Sequence, residues 1–67
     1  RKALLDGASL AGANMTGANF ADAVLTGADL TNVDFTNANL TYADFTGANM
    51  TGAILTGAII TGAIIPE

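Results

Sequence analysis

Residues 43–52 have the sequence ADFTGANMTG, in which one five-residue unit occurs twice. The unit consists of a small residue, a polar residue, a large apolar residue, Thr and Gly. It continues from Ala3 to Glu67 without insertion or deletion, which gives thirteen consecutive pentapeptides. A fixed short period is the sequence signature of a repeat architecture, so it decides the fold before any other feature.

The third slot of the unit, which we call the central slot, is large and apolar in all thirteen repeats. The first slot is Ala in twelve repeats and Val33 in the other. The second slot is Asn, Asp or Ser in eight repeats and aliphatic in five, the fourth is Thr in nine, and the fifth is Gly in eight. The central residues are Leu5, Leu10, Met15, Phe20, Leu25, Leu30, Phe35, Leu40, Phe45, Met50, Leu55, Ile60 and Ile65.

A period of five fits neither regular secondary structure. On an α-helix five residues advance about 500°, so successive large residues would shift by roughly 140° and form no stripe. On a continuous strand an odd period sends them to opposite faces. The period therefore requires one turn per repeat, with a short extended segment that directs the first and central slots inward and the second slot outward. Gly or Asn in the fifth slot is what a type II turn needs at its third position, where φ is positive. From here on we call the first to fifth slots, in order, the inner, outward, central, turn and corner slots.

The composition of the chain argues against several classes of function. The chain has no Cys and no His, which excludes a disulfide framework and a thiolate or imidazole metal site. Its net charge of −4 disfavours binding of nucleic acid through a basic surface. Apolar runs of about three residues are far too short to span a membrane. No nucleophile–base pair or phosphate-binding loop is present, and the glycines are spaced as corners, so we expect no enzyme activity, no cofactor and no small-molecule ligand.

The tandem A-[N/D]-[L/F/M]-T-G pattern over residues 3–67 resembles the pentapeptide-repeat family. The resemblance implies that family's fold, which is all-β: a right-handed parallel β-helix of square cross-section with four repeats per coil, here about three coils. Residues 1–67 would form a single such domain, and Arg1 and Lys2 fill the last slots of a preceding repeat, which indicates a fragment or processed part of a longer chain. The resemblance points to cyanobacterial or plastid proteins, and the compartment stays open between the cytoplasm and, for an exported precursor, the thylakoid lumen or periplasm.

The outward slots of the last coil are aliphatic where earlier coils mostly carry Asn, Asp or Ser. Four repeats per coil place Ile54, Ile59 and Ile64 on three different sides, as a girdle around the C-terminal end. Exposed apolar surface of this kind often marks a contact. Three interpretations stay open: ordinary β-branched residues on strand surfaces, a covering cap or following segment, and an interface with a partner protein or a second copy.

The carboxylates suggest a second surface. Asp29, Asp34 and Asp44 occupy outward slots on three faces, so they predict a solvated surface rather than a catalytic or metal site. Some pentapeptide-repeat proteins resemble duplex DNA in shape and charge and bind topoisomerases such as gyrase. The sequence therefore predicts a non-enzymatic scaffold that binds a protein partner or self-associates at a coil end, with a DNA mimic of this type as the alternative. An ice-binding array is not expected, because successive Thr residues lie on different sides.

Overall fold

The computed structural model describes residues 3–66. Arg1, Lys2 and Glu67 lie outside this range, and so do the predictions that concern them. Within residues 3–66 the backbone forms no helix, and each strand is an isolated bridge of a single residue. The predicted short strands are therefore as short as a strand can be, and a two-residue turn separates each from the next.

Parallel bridges connect outward residues that are twenty positions apart. The chain thus returns to the same side after four pentapeptides, which is the stacking register that the resemblance to the family implies. The bridges define four columns of outward residues: Leu4–Val24–Asp44–Ile64, Ser9–Asp29–Asn49, Asn14–Asp34–Ile54 and Asn19–Asn39–Ile59.

Backbone hydrogen bonds hold adjacent coils together at three slots of each unit. The central N–H donates to the carbonyl of an outward residue in the next coil, as from Leu25 to Asp44 at 2.8 Å. The corner N–H donates to a turn-slot carbonyl in the next coil, as from Gly27 to Thr46 at 2.9 Å. The outward N–H donates back to an inner-slot carbonyl of the preceding coil. This regular ladder provides hydrogen-bond partners for backbone N–H and C=O groups that would otherwise be unpaired in the narrow interior.

The corners are the predicted turns. The N–H of each inner residue donates to the carbonyl of the central residue three positions earlier, as from Ala48 to Phe45 at 2.9 Å. All corner slots within residues 3–66 have positive φ, and the turn slots before them do not, which is the type II combination. The corner residues other than glycine have φ between 59° and 63°: Asp22, Asn32, Asn37 and Tyr42.

The core lies inside the coils, and its fully buried residues all come from the middle of the chain. Phe35 contacts two other rings edge to face, with centroids 6.1 Å from Phe20 and 6.0 Å from Phe45. Inner-slot alanines fill the space between the large residues, because a bulkier side chain would crowd so narrow an interior. The buried residues are Ala23, Leu25, Ala28, Leu30, Val33, Phe35, Ala38, Leu40, Ala43, Phe45 and Ala48.

One central residue departs from the predicted inward set. Ile60 is 46% exposed, whereas the sequence pattern places every central residue in the interior. Within residues 3–66 it has a stacked neighbour, Leu40, on one side only, so its other face stays uncovered. The central residues Leu5, Leu10 and Leu55 are partly buried in the same arrangement.

Candidate functional site

Three outward isoleucines form the apolar surface that the sequence predicts at the C-terminal end. We call Ile54, Ile59 and Ile64 the isoleucine belt; they are 45%, 51% and 54% exposed. Their bridges place them in three different columns, so they surround the last coil on three sides. The belt is therefore exposed apolar surface on a strand position, where an aliphatic residue fits the backbone and its side chain faces solvent.

The belt lies in a segment of the sequence without charge. No Asp, Glu, Lys or Arg occurs between Phe45 and Pro66. The turn-slot residues Thr56 and Thr61 each stand two residues after an outward isoleucine, which has no side-chain acceptor for a hydrogen bond. Along the chain the belt is flanked only by apolar residues, threonines and glycines, and its charged and amide neighbours are Asp34, Asn39 and Asp44 of the adjacent coil.

Asp29, Asp34 and Asp44 each accept two hydrogen bonds from the threonine two residues later. In the first of these pairs the Thr31 backbone N–H donates to Asp29 Oδ1 at 3.1 Å and the Thr31 hydroxyl donates to it at 2.7 Å. These threonine hydroxyls, and then the backbone N–H groups, hold the pKa of the three carboxyls below the ordinary value of 3.8. The carboxyls are thus ionised at neutral pH.

The same three aspartates do not converge on one site. Their columns lie on three sides of the molecule, as expected for four repeats per coil. The acceptor role toward threonine was not anticipated from the sequence, although the spacing of an Asn or Asp two residues before Thr is typical of Asx-turns and could have shown it. Asn14, Asn39 and Asn49 make the same pair of bonds without a charge.

A groove beside Tyr42 is a feature that sequence reasoning missed. The sequence predicts Tyr42 as an exposed corner residue, and its side chain is 64% exposed. It also forms one wall of an open groove of about 620 Å³, which we call the Tyr42 groove. Among residues 3–66, those that line it are Asn19, Ala21, Asp22, Ala23, Val24, Tyr42 and Asp44. No signal in the sequence marked it, because its residues come from two coils that only the stacking register brings together.

Two further observations bear on the kind of site. In the part of the chain that the structure describes, no three His, Cys, Asp or Glu side chains group together to hold a metal ion. The same residues include no helix that is long and apolar enough to cross a membrane.

The comparisons with known proteins agree on one family. The family model "Pentapeptide repeats (8 copies)" matches residues 3–41 and 28–65. A search of curated proteins finds no significant match.

Solved structures of pentapeptide-repeat proteins superpose closely on the chain. HetL from the cyanobacterium Nostoc sp. strain PCC 7120, which is involved in regulation of heterocyst differentiation, shares 39% identity over 96% of this chain and 30% of its own, with a TM-score of 0.90. Rfr23 from the cyanobacterium Cyanothece 51142 shares 32% identity over 91% of this chain and 42% of its own, with a TM-score of 0.88. A protein of the Arabidopsis thaliana thylakoid lumen shares 27% identity over 92% of this chain and 42% of its own, with a TM-score of 0.85. The chain therefore spans less than half the length of each of these relatives.

Proposed function

The chain belongs to the pentapeptide-repeat family, whose members form right-handed quadrilateral β-helices, and we propose that it is a non-enzymatic protein-interaction module of about three coils. The observation that carries this proposal is the isoleucine belt. Pentapeptide-repeat proteins are generally structural, and the surface of this chain offers contacts rather than a reaction centre.

The chemistry of the belt favours a protein as the partner. Three isoleucines that are about half exposed, in a segment without charge, lose little by desolvation and gain from apolar contact. The fully buried centres of protein interfaces are likewise depleted of charged residues. Because the belt surrounds the coil on three sides, a partner would enclose this end of the β-helix rather than lie along one face. A second copy of the chain at this end is the self-associating form of the same proposal.

Site-specific photo-crosslinking tests the belt directly. A photoreactive phenylalanine analogue replaces Ile59 in the full protein in its native cell, and in a matched variant it replaces Asn14. Both positions are outward slots on parallel bridges, and Asn14 belongs neither to the isoleucine belt nor to the lining of the Tyr42 groove. We expect one discrete crosslinked protein from position 59 and none from position 14.

The remaining belt residues provide the control. The outward slot holds Asn in four repeats, so Ile54→Asn and Ile64→Asn keep a residue that the fold accepts there. The double variant should lose the crosslink from position 59 while its thermal unfolding stays close to that of the parent. Equal crosslinking from positions 14 and 59, or a crosslink unaffected by the double variant, would refute the belt as the contact.

The acidic surface supports a second candidate, a DNA mimic that binds a topoisomerase. The net charge of −4 and the ionised carboxyls of Asp29, Asp34 and Asp44 favour it. One feature weakens it: the aspartates lie on three sides and form no continuous acidic stripe. A gyrase supercoiling assay with a quinolone distinguishes the candidates, since a mimic inhibits or protects the enzyme and loses that effect in the Asp29→Asn/Asp34→Asn/Asp44→Asn variant.

A further inference from the structure

One wall of the Tyr42 groove is an aromatic ring. Tyr42 has φ of 59°, a conformation that is uncommon for a bulky residue, and its ring covers Gly62 at the corner of the next coil. The ring is nonetheless 64% exposed, so it offers aromatic surface to solvent. Tyr is among the residues that contribute most binding energy when a partner covers them.

The groove is concave because of two departures from the repeat. Position 21 is Ala where most repeats have Thr, which removes side-chain bulk from the corner above Tyr42. Asp22 and Tyr42 stand twenty positions apart in one corner column, and within residues 3–66 it is the only corner column with two successive residues other than glycine. The other corner columns have at least one glycine in each neighbouring pair, so they form no comparable wall.

Carboxylates complete the lining. Asp22 and Asp44 both line the groove, and the bonds from Thr46 engage only Oδ1 of Asp44. Oδ2 of Asp44 takes part in neither bond, and a carboxylate oxygen of this kind accepts hydrogen bonds readily. Asn19 adds a side-chain amide at the same edge.

From this arrangement we infer that the Tyr42 groove binds an arginine side chain of a partner protein. A guanidinium group stacks on an aromatic ring and donates to carboxylates at the same time, which suits one tyrosine beside two aspartates. A metal ion fits less well, because two carboxylates fall short of the six to eight oxygen ligands that calcium takes. The inference rests on the proposed protein-interaction function and specifies the chemistry of a second contact, away from the isoleucine belt.

A peptide titration tests this contact without any partner. The probe is acetyl-Gly-Ser-Arg-Ser-Gly-amide, and its control has citrulline, which has nearly the same shape but no charge, in place of arginine. Amide shifts of the full protein are followed by NMR during the titration. We expect the arginine peptide to shift residues 21–24 and 42–44, and the citrulline peptide to leave them in place.

Three variants separate the groove from overall charge. Tyr42→Asn places in the corner a residue that occupies the same slot at positions 32 and 37, and it should weaken binding about fivefold. Asp44→Asn should weaken binding to a similar degree. Asp29→Asn makes the same change of charge on another side and should stay within about twofold of the parent.

The inference is overturned if the arginine and citrulline peptides give equal shifts, or if Asp29→Asn weakens binding as much as Asp44→Asn. In the second case net charge alone attracts the peptide. The titration and the crosslinking at position 59 fail independently: a protein that binds the arginine peptide but gives no crosslink refutes the belt, whereas a crosslink without peptide binding refutes the groove.

Discussion

The ring of Tyr42 occupies the place where a side chain at Gly62 would begin. The two residues stand twenty positions apart in one corner column, and a Cβ atom built on Gly62 overlaps Cδ1 and Cε1 of the Tyr42 ring. Asn32 covers Gly52 and Asn37 covers Gly57 in the same manner. At these three corners the side chain of one coil thus leaves room only for glycine at the corner of the next coil. The positive φ of these glycines is a second, independent reason for their residue type.

Gly62→Ala should therefore destabilise the protein more than Gly27→Ala. Both glycines have φ near 70°, which costs a residue with a Cβ about 1–2 kcal/mol, but a Cβ at position 27 meets nothing within 4 Å. At position 62 the Tyr42 ring must also leave its corner, and we expect a further loss of about 1 kcal/mol from displaced packing. Thermal or denaturant unfolding of the two variants gives the comparison.

A double variant isolates the contact between the two residues. Tyr42→Gly removes the ring, so Gly62→Ala introduced into that background should cost no more than Gly27→Ala does in the parent. If Gly62→Ala and Gly27→Ala are equally destabilising in the parent, the ring does not constrain position 62.

Phe35→Ala should be the most damaging substitution in the core. Phe35 is 1% exposed and packs edge to face on Phe20 and Phe45, so its loss leaves a cavity and removes both aromatic contacts. We expect a cost of about 3–5 kcal/mol in the free energy of unfolding. Phe35→Leu should cost much less, because leucine fills the same slot at positions 25, 30 and 40.

Ile60→Ala is the matched control for the core. Ile60 also occupies a central slot, but 46% of its side chain is exposed, so truncation removes less buried area. Denaturant unfolding should rank Phe35→Ala above Ile60→Ala by a wide margin. Equal losses would show that the middle of the β-helix is no better packed than its end.

Stability should decrease at acidic pH because of three aspartates. The threonine hydroxyl and the backbone N–H lower the pKa of Asp29, Asp34 and Asp44 in the folded state below the ordinary value of 3.8. A carboxyl whose pKa is lower in the folded state than in the unfolded state stabilises the fold at pH values above its unfolded pKa. This stabilisation is lost as the pH falls through the folded pKa. We expect the melting temperature to fall as the pH is lowered from about 5 to about 2.

Asparagine provides a control that keeps the hydrogen bonds. Asn14, Asn39 and Asn49 already accept the same bonds from threonine, so Asp29→Asn/Asp34→Asn/Asp44→Asn removes the titration and keeps the acceptor. The triple variant should show a flatter dependence of melting temperature on pH over the same range. An unchanged pH profile would mean that other groups cause the acid sensitivity.

The sequence predicts most of the fold because each slot of the repeat restricts the residue type for one physical reason, either the direction of its side chain or the φ of its backbone. The inward direction of Ala43 and Phe45, the outward direction of Asp44 and the turn at Gly47 follow from spacing and from the φ that glycine permits. The register of twenty residues came from the resemblance to the family and not from the residues, since a five-residue period fits any whole number of repeats per coil. The bridges confirm that register.

The candidate sites were less predictable, because they depend on contacts between coils. The exposure of the isoleucine belt follows from the outward slot, and its function as a contact remains a prediction. The Tyr42 groove depends on the position of Ala21 beside Tyr42 of the next coil and on the lean of the Tyr42 ring toward Gly62, and neither contact is visible in a one-dimensional repeat. Ile60 is exposed because of its place in the stack, although its residue type and slot are those of a core residue.

Hydrogen–deuterium exchange of the protein bound to its crosslinked partner tests whether the isoleucine belt is the contact. We expect slower exchange on partner binding at Ile54, Ile59 and Ile64 and their immediate neighbours, together with unchanged exchange around Asp29, whose column holds no belt residue. Slower exchange around Asp29, with none at the isoleucine belt, would contradict the proposal and favour the acidic surface as the contact.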